Sequence, residues 1–134
     1  MDKAFYFEVL YPLQDEVLQR IARLETALYL TGGTAASRGY LQHRFSDDLD
    51  LFTNDDPQFR LWTERVVATL SANPQWKTSV DLREERFLRM TLVSGAVSLK
   101  IEMINDVPSH VGCVEEHPTL GRLDSAENIF ANKI

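Results

Sequence analysis

Residues 30–52, LTGGTAASRGYLQHRFSDDLDLF, constrain this chain more than any other stretch. Leu28, Tyr29 and Leu30 have strand character, and Gly32 and Gly33 follow at once. Glycine lets the backbone turn sharply and leaves no side chain in the way of a ligand. Residues 34–41 then fit about two turns of helix. A glycine turn that opens a helix presents free backbone N–H groups, so Gly32, Gly33 and Thr34 form a phosphate-binding candidate. The segment closes on DLDLF, which reads as a second strand. Residues two apart in a strand share a face, so Asp48 and Asp50 project together while Leu49 and Leu51 enter the core. Their Cα atoms would lie about 6–7 Å apart at strand rise. One or two carboxylates plus phosphate oxygens are the usual ligands of Mg²⁺, so a cation site would face the phosphate cradle. Asp47 has the wrong strand parity to join the pair. In the loop before it, His43 reads as a surface residue. Arg44 is either a phosphate partner, since its planar fork suits phosphate, or an exposed loop arginine.

A length of 134 residues suits one domain with one core. The net charge of −6 argues against a broadly basic nucleic-acid surface, so contact with RNA would need a local patch. No apolar run reaches about 18 residues, so no membrane span is expected. The start, MDKAFYFEVL, has an acidic second residue and no small-residue cleavage site, unlike a secretory signal. Cys113 is the single cysteine, which excludes an intrachain disulfide and fits a reducing cytosol. These features point to a cytoplasmic protein. His110 and His117 are not spaced around Cys113 as zinc ligands would be.

The rest of the chain reads as scaffold. Residues 8–27 carry leucines, Val17 and Ile21 at helical spacing, with Pro12 in the first turn. Residues 57–72 predict a second helix with Phe59, Trp62, Val66 and Leu70 as its apolar stripe, ended by Asn73-Pro74. Residues 76–81 predict a strand, and 81–85 a charged turn or bulge. Residues 86–104 predict a hairpin whose register can be argued. With Gly95 and Ala96 at its centre, Leu92 faces Leu99, Met90 faces Ile101 and Leu88 faces Met103. The other face pairs Thr91 with Lys100 and Arg89 with Glu102. A turn centred one residue earlier would set Arg89 against Lys100, a destabilising like-charge pair. Lys100 shares Glu102's face, and is either a phosphate contact or a solvent-facing lysine. Residues 111–114 read as an edge strand, and Asp124 or Ser125 as the cap of a short helix.

The glycine turn, the helix and the Asp–hydrophobic–Asp strand together resemble the signature of the polymerase β-like nucleotidyltransferases. The GGTA opening and the RFSDDLDLF close resemble the AbiEii branch, the toxin half of bacterial toxin–antitoxin pairs. The resemblance is strongest over residues 28–53. It implies an α+β fold: a twisted mixed sheet, helices packed on one face, and Asp48, Asp50 and Glu102 on the other. It implies nucleotidyl transfer from a nucleoside triphosphate to an acceptor hydroxyl on RNA, tRNA or a protein, with a cognate antitoxin as partner. It also implies two Mg²⁺ ions, with Mn²⁺ as an alternative, held by Asp48, Asp50 and Glu102. Gly32, Gly33, Thr34, Arg44 and Ser46 are then the nucleotide-binding residues. The superfamily often has serine where Gly33 stands, and Thr34 is the candidate substitute. Lys133 resembles the nucleotide-binding lysine that begins the family's C-terminal helical half. Residues 1–134 thus correspond to the catalytic half alone.

Glu102 keeps two readings: a third catalytic carboxylate, or a solvated ion pair with Arg89 worth a fraction of a kcal/mol. An Asp-x-Asp pair is also used by haloacid-dehalogenase phosphatases and sugar-nucleotide glycosyltransferases. The first wants Thr or Val where Phe52 stands, and the second a longer chain. An EF-hand fails for lack of glycine at its sixth loop position. The competing expectation is a catalytically idle nucleotidyltransferase-like module that binds a nucleotide or a partner protein.

Overall fold

The computed structural model describes residues 4, 6–24, 26–31, 48–106, 115–117 and 121–123. Among these, seven strands form one mixed sheet: β1 (Tyr29–Thr31), β2 (Leu49–Asn54), β3 (Trp76–Glu84), β4 (Phe87–Ser94), β5 (Val97–Asp106), β6 (Glu115–His117) and β7 (Gly121–Leu123). Their spatial order is β3-β4-β5-β2-β1-β7-β6. β2 lies between β5, which it pairs in parallel, and β1, which it pairs antiparallel. The DLDLF strand is therefore internal to the sheet.

The β4–β5 hairpin has the register expected from its sequence. Leu92 pairs with Leu99, Met90 with Ile101, Leu88 with Met103, and Arg89 with Glu102. Ser94 pairs with Val97, so Gly95 and Ala96 form a two-residue turn. Gly95 has φ 61°, and glycine at the first central position is what a type II′ hairpin turn requires. Every inward residue of that face, from Leu88 to Met103, is essentially inaccessible to solvent. Leu49 and Leu51 of β2 join them, as do Val66 and Leu70 of helix α2 (Phe59–Ser71) and Val17, Leu18 and Ile21 of helix α1 (Tyr11–Ala22).

The first helix is shorter than its apolar spacing suggests. A π-helical turn, Tyr6–Leu10, leads into α1, which ends at Ala22. Beyond it, the buried Thr26 hydroxyl accepts the Leu28 amide at 3.2 Å, and the chain turns toward β1. A short side-chain hydrogen bond of this kind competes with helix continuation. Leu28 is buried all the same, next to the strand rather than on a helix. β3 is longer than expected, running to Glu84 across a bulge between Val80 and Leu82 that leaves Asp81 out of the ladder. As an edge strand it is mostly exposed, so its charges did not prevent pairing.

A polar latch closes the C-terminal end of β2 and β5. Asn105 is buried; its Oδ1 accepts the Thr53 hydroxyl at 2.8 Å and the Asp56 amide at 2.8 Å, and its Nδ2 donates to the Asp56 carbonyl at 3.0 Å. Arg86, in the β3–β4 turn, donates to the carbonyls of Asn105 and Asp106 and to Asp55 Oδ1. Asp55 has φ 49°, and its amide donates to the Asp106 carbonyl at 2.7 Å. Asp56 then leads into α2: its Oδ1 accepts the Gln58 amide at 2.8 Å and its Oδ2 the Trp62 indole N–H at 3.0 Å. The expected helix over 34–41, the edge strand over 111–114 and the cap at Asp124 or Ser125 lie outside the described residues.

Candidate active site

The opposite end of β2 carries the acids. Leu49 and Leu51 are 0% and 2% exposed, so Asp50 between them faces away from the core. Asp48 immediately precedes the strand, on the same side as Lys100, whose Nζ lies 3.3 Å from its Oδ2. The two acids therefore share a face, as the spacing in DLDLF predicts.

Register fixes the surroundings of Asp50. Across the parallel pair stands Glu102; across the antiparallel pair stands Thr31, the residue before Gly32 in the sequence. Parallel neighbours lie about 4.8 Å apart in the hydrogen-bonding direction, so Asp50 and Glu102 can reach a shared ligand. The glycine pair begins one residue beyond Asp50's other partner.

Among the described residues, Arg89 and Lys100 pair with acids of this face. Arg89 Nε donates to Glu102 Oε2 at 3.0 Å, and the Arg89 guanidinium lies 5.4 Å from the centre of the Phe87 ring. That bond uses one carboxylate oxygen, and the Glu102 side chain is only 18% exposed. Lys100 holds Asp48 in a more open pair, both side chains being 43% exposed. Beyond Lys100 on the same face, Asp81 accepts the hydroxyls of Thr91 at 2.5 Å and Ser79 at 3.0 Å. Among the described residues, no three or more His, Cys, Asp or Glu side chains are gathered as a metal site. Asp48 and Glu102 are instead each drawn onto a basic neighbour.

The family described as "Nucleotidyl transferase AbiEii toxin, Type IV TA system" matches residues 16–134, which include this face. The chain belongs to the AbiEii family. No curated protein matches it. Among solved structures, it resembles a candidate nucleotidyltransferase from H. pylori at TM-score 0.65 and 20% identity, over 91% of this chain and 56% of that one. It resembles JHP933 from Helicobacter pylori at TM-score 0.63 and 22% identity, over 99% and 56%. MenT4, a nucleotidyltransferase toxin from Mycobacterium tuberculosis H37Rv, follows at TM-score 0.55 and 19% identity, over 87% and 47%. The chain thus spans about half the length of each of these structures. The shared architecture is the polymerase β-like nucleotidyltransferase fold expected from the sequence.

Of the residues singled out in this AbiEii family chain, Asp48, Asp50 and Glu102 come together on one face of the sheet. Gly32, Gly33, Thr34, Arg44, Ser46 and Lys133 lie outside the described residues, as do His43 and Asp47. The ion pair expected between Arg89 and Glu102 is present. The Lys100–Asp48 pair was not foreseen, because it depends on the parallel pairing of β2 with β5, for which no local pattern codes. Among the described residues, no helix is long and apolar enough to cross a membrane.

Proposed function

We propose that this chain carries the metal- and triphosphate-binding half of a nucleotidyl-transfer site and acts as the toxin of a toxin–antitoxin pair. One observation carries the reading: Asp50 has Glu102 on one flank and the residue preceding Gly32-Gly33 on the other. That register sets the acidic strand beside the strand that leads in sequence to Gly32-Gly33, the pair expected to bind phosphate. The donor set fits Mg²⁺ or Mn²⁺, since hard cations at such sites take a few carboxylate oxygens and complete their shell with phosphate. Asp48 and Asp50 would hold two ions, and Glu102 the one nearer the acceptor. When bound, such ions neutralise phosphate charge and stabilise the attacking and leaving oxygens of an in-line displacement.

The chain's own residues account for the rest. Backbone amides at Gly32, Gly33 and Thr34 orient the β- and γ-phosphates, with Arg44, Ser46 and Lys133 as further phosphate contacts. The acceptor oxygen attacks the α-phosphorus, the bond from that phosphorus to the bridging oxygen breaks, and pyrophosphate leaves with the bridging oxygen. The free oxygen of Glu102 takes the hydroxyl proton. The acceptor is a hydroxyl of RNA, of a tRNA end or of a protein side chain, in the cytoplasm, and the partner is a cognate antitoxin. Residues 1–134 act as one catalytic domain.

A second reading has its own support. Asp48 and Glu102 rest on Lys100 and Arg89, and this favours an idle module that binds nucleotide or a partner protein without turnover. The readings separate on incubating the protein with Mg²⁺, each labelled nucleoside triphosphate and total RNA or protein. Label transfer is expected, and Asp48→Ala and Asp50→Asn should each lower it by more than about a hundredfold. Nucleotide binding without transfer in the unaltered chain would decide for the idle module.

A further inference from the structure

Lys100 makes the more open of the two ion pairs on this face, since Asp48 is 43% exposed and Glu102 18%. Its ammonium has a flexible four-carbon stem, and its Asp48 partner is as exposed as it is, each side chain at 43%. Arg89 differs in its partners: its guanidinium meets both the less exposed Glu102 and the Phe87 ring. The neighbour of Lys100 on β4 is Thr91, whose hydroxyl is committed to Asp81. Asp81 in turn accepts both Thr91 and Ser79, so it is already engaged beside the lysine.

A divalent cation on Asp48 and Asp50 would bear the same sign of charge as the ammonium now 3.3 Å from Asp48 Oδ2. Both cannot keep that oxygen at low cost. An arriving polyphosphate brings new anionic oxygens to the same spot. Without a cation, the lysine has a place on Asp48. With cation and phosphate, its best partner changes.

We propose that Lys100 is a nucleotide-binding residue that is handed over: it neutralises Asp48 when the cation is absent and moves to a phosphate oxygen of the triphosphate when the cation is present. This rests on the nucleotidyl-transfer reading and adds to it a phosphate ligand and a competition between ammonium and metal. The role predicts effects of opposite sign. Removing the ammonium should help the metal bind alone and hinder the polyphosphate bound with it. A lysine that only supports the fold would shift both affinities the same way or neither.

The test uses the full chain, with Mn²⁺ titrated by electron paramagnetic resonance and inorganic tripolyphosphate titrated calorimetrically at saturating Mn²⁺. Tripolyphosphate removes the identity of the base from the question. Lys100→Met should tighten Mn²⁺ alone about threefold and weaken tripolyphosphate about tenfold, the scale of one charge-assisted hydrogen bond. Lys100→Arg should restore tripolyphosphate binding to within about threefold of the original. Unchanged affinities in Lys100→Met, or affinities that move in the same direction, overturn the handover. If the unaltered chain binds Mn²⁺ and Asp50→Asn abolishes that binding, such a result leaves the nucleotidyl-transfer reading standing. No Mn²⁺ binding by the unaltered chain, or binding indifferent to Asp50→Asn, overturns both.

Discussion

The two ends of the β2–β5 pair handle their polar groups in opposite ways. At the C-terminal end, Asn105 is 7% exposed, Thr53 is 1% exposed, and the Asn105 side chain bonds to Thr53 and Asp56. At the N-terminal end, Lys100 and Asp48 meet in a pair that is 43% exposed on both sides. The Asn105 bonds at one end are neutral and lie beneath an exposed Arg86–Asp55 pair. The other uses charges that solvent can reach. Buried, satisfied polar groups are costly to disturb, whereas exposed ion pairs contribute about 0–1 kcal/mol. The same two strands thus combine a fixed anchor with a surface whose partners can be exchanged.

Substitutions can break that contrast. Asn105→Ala should destabilise the chain by about 2–4 kcal/mol in urea unfolding, because it strands the Thr53 hydroxyl and the Asp56 amide and leaves the Asp56 carbonyl only the Phe59 amide. If it costs no more than a surface substitution, the anchor is not one. Thr53→Val keeps the shape and removes one donor to Asn105, so a loss of about 1 kcal/mol is expected by the same measurement. Arg89→Gln should shift the unfolding free energy by less than about 1 kcal/mol, and raising salt should shrink that difference further. A larger, salt-independent loss would mean that the acidic face is built like the anchor.

The face of the acidic strand is more legible in the sequence than the anchor is, for a physical reason. The Asp48–Asp50 alternation with buried Leu49 and Leu51 is a local, period-two signal. The β4–β5 register was equally readable, since one turn and one charge pair, Arg89 with Glu102, exclude the neighbouring slip. The bonds of Asn105 to Thr53 and Asp56 span 52 and 49 residues, and no spacing announces them. α1 stopped early because Thr26 takes a backbone amide, while Leu24 and Leu28 kept a helix-like pattern on either side. The polar sequence over 81–85 predicts a turn or bulge; the bulge is present at Asp81, and the strand runs on past it because an edge strand needs few apolar residues. The neighbour of the acids, Lys100, required knowing which strands lie side by side.

The bulge at Asp81 has a consequence for the protein in a crowded solution. A straight, nine-residue rim flanked by the exposed Val80 and Leu82 would offer passing chains an unbroken row of amides to dock on. The kink interrupts that row and sets a carboxylate in its middle, which is how natural sheets keep from growing outward. Restoring a regular ladder at this position would turn the free rim into a seed for fibre-like stacking.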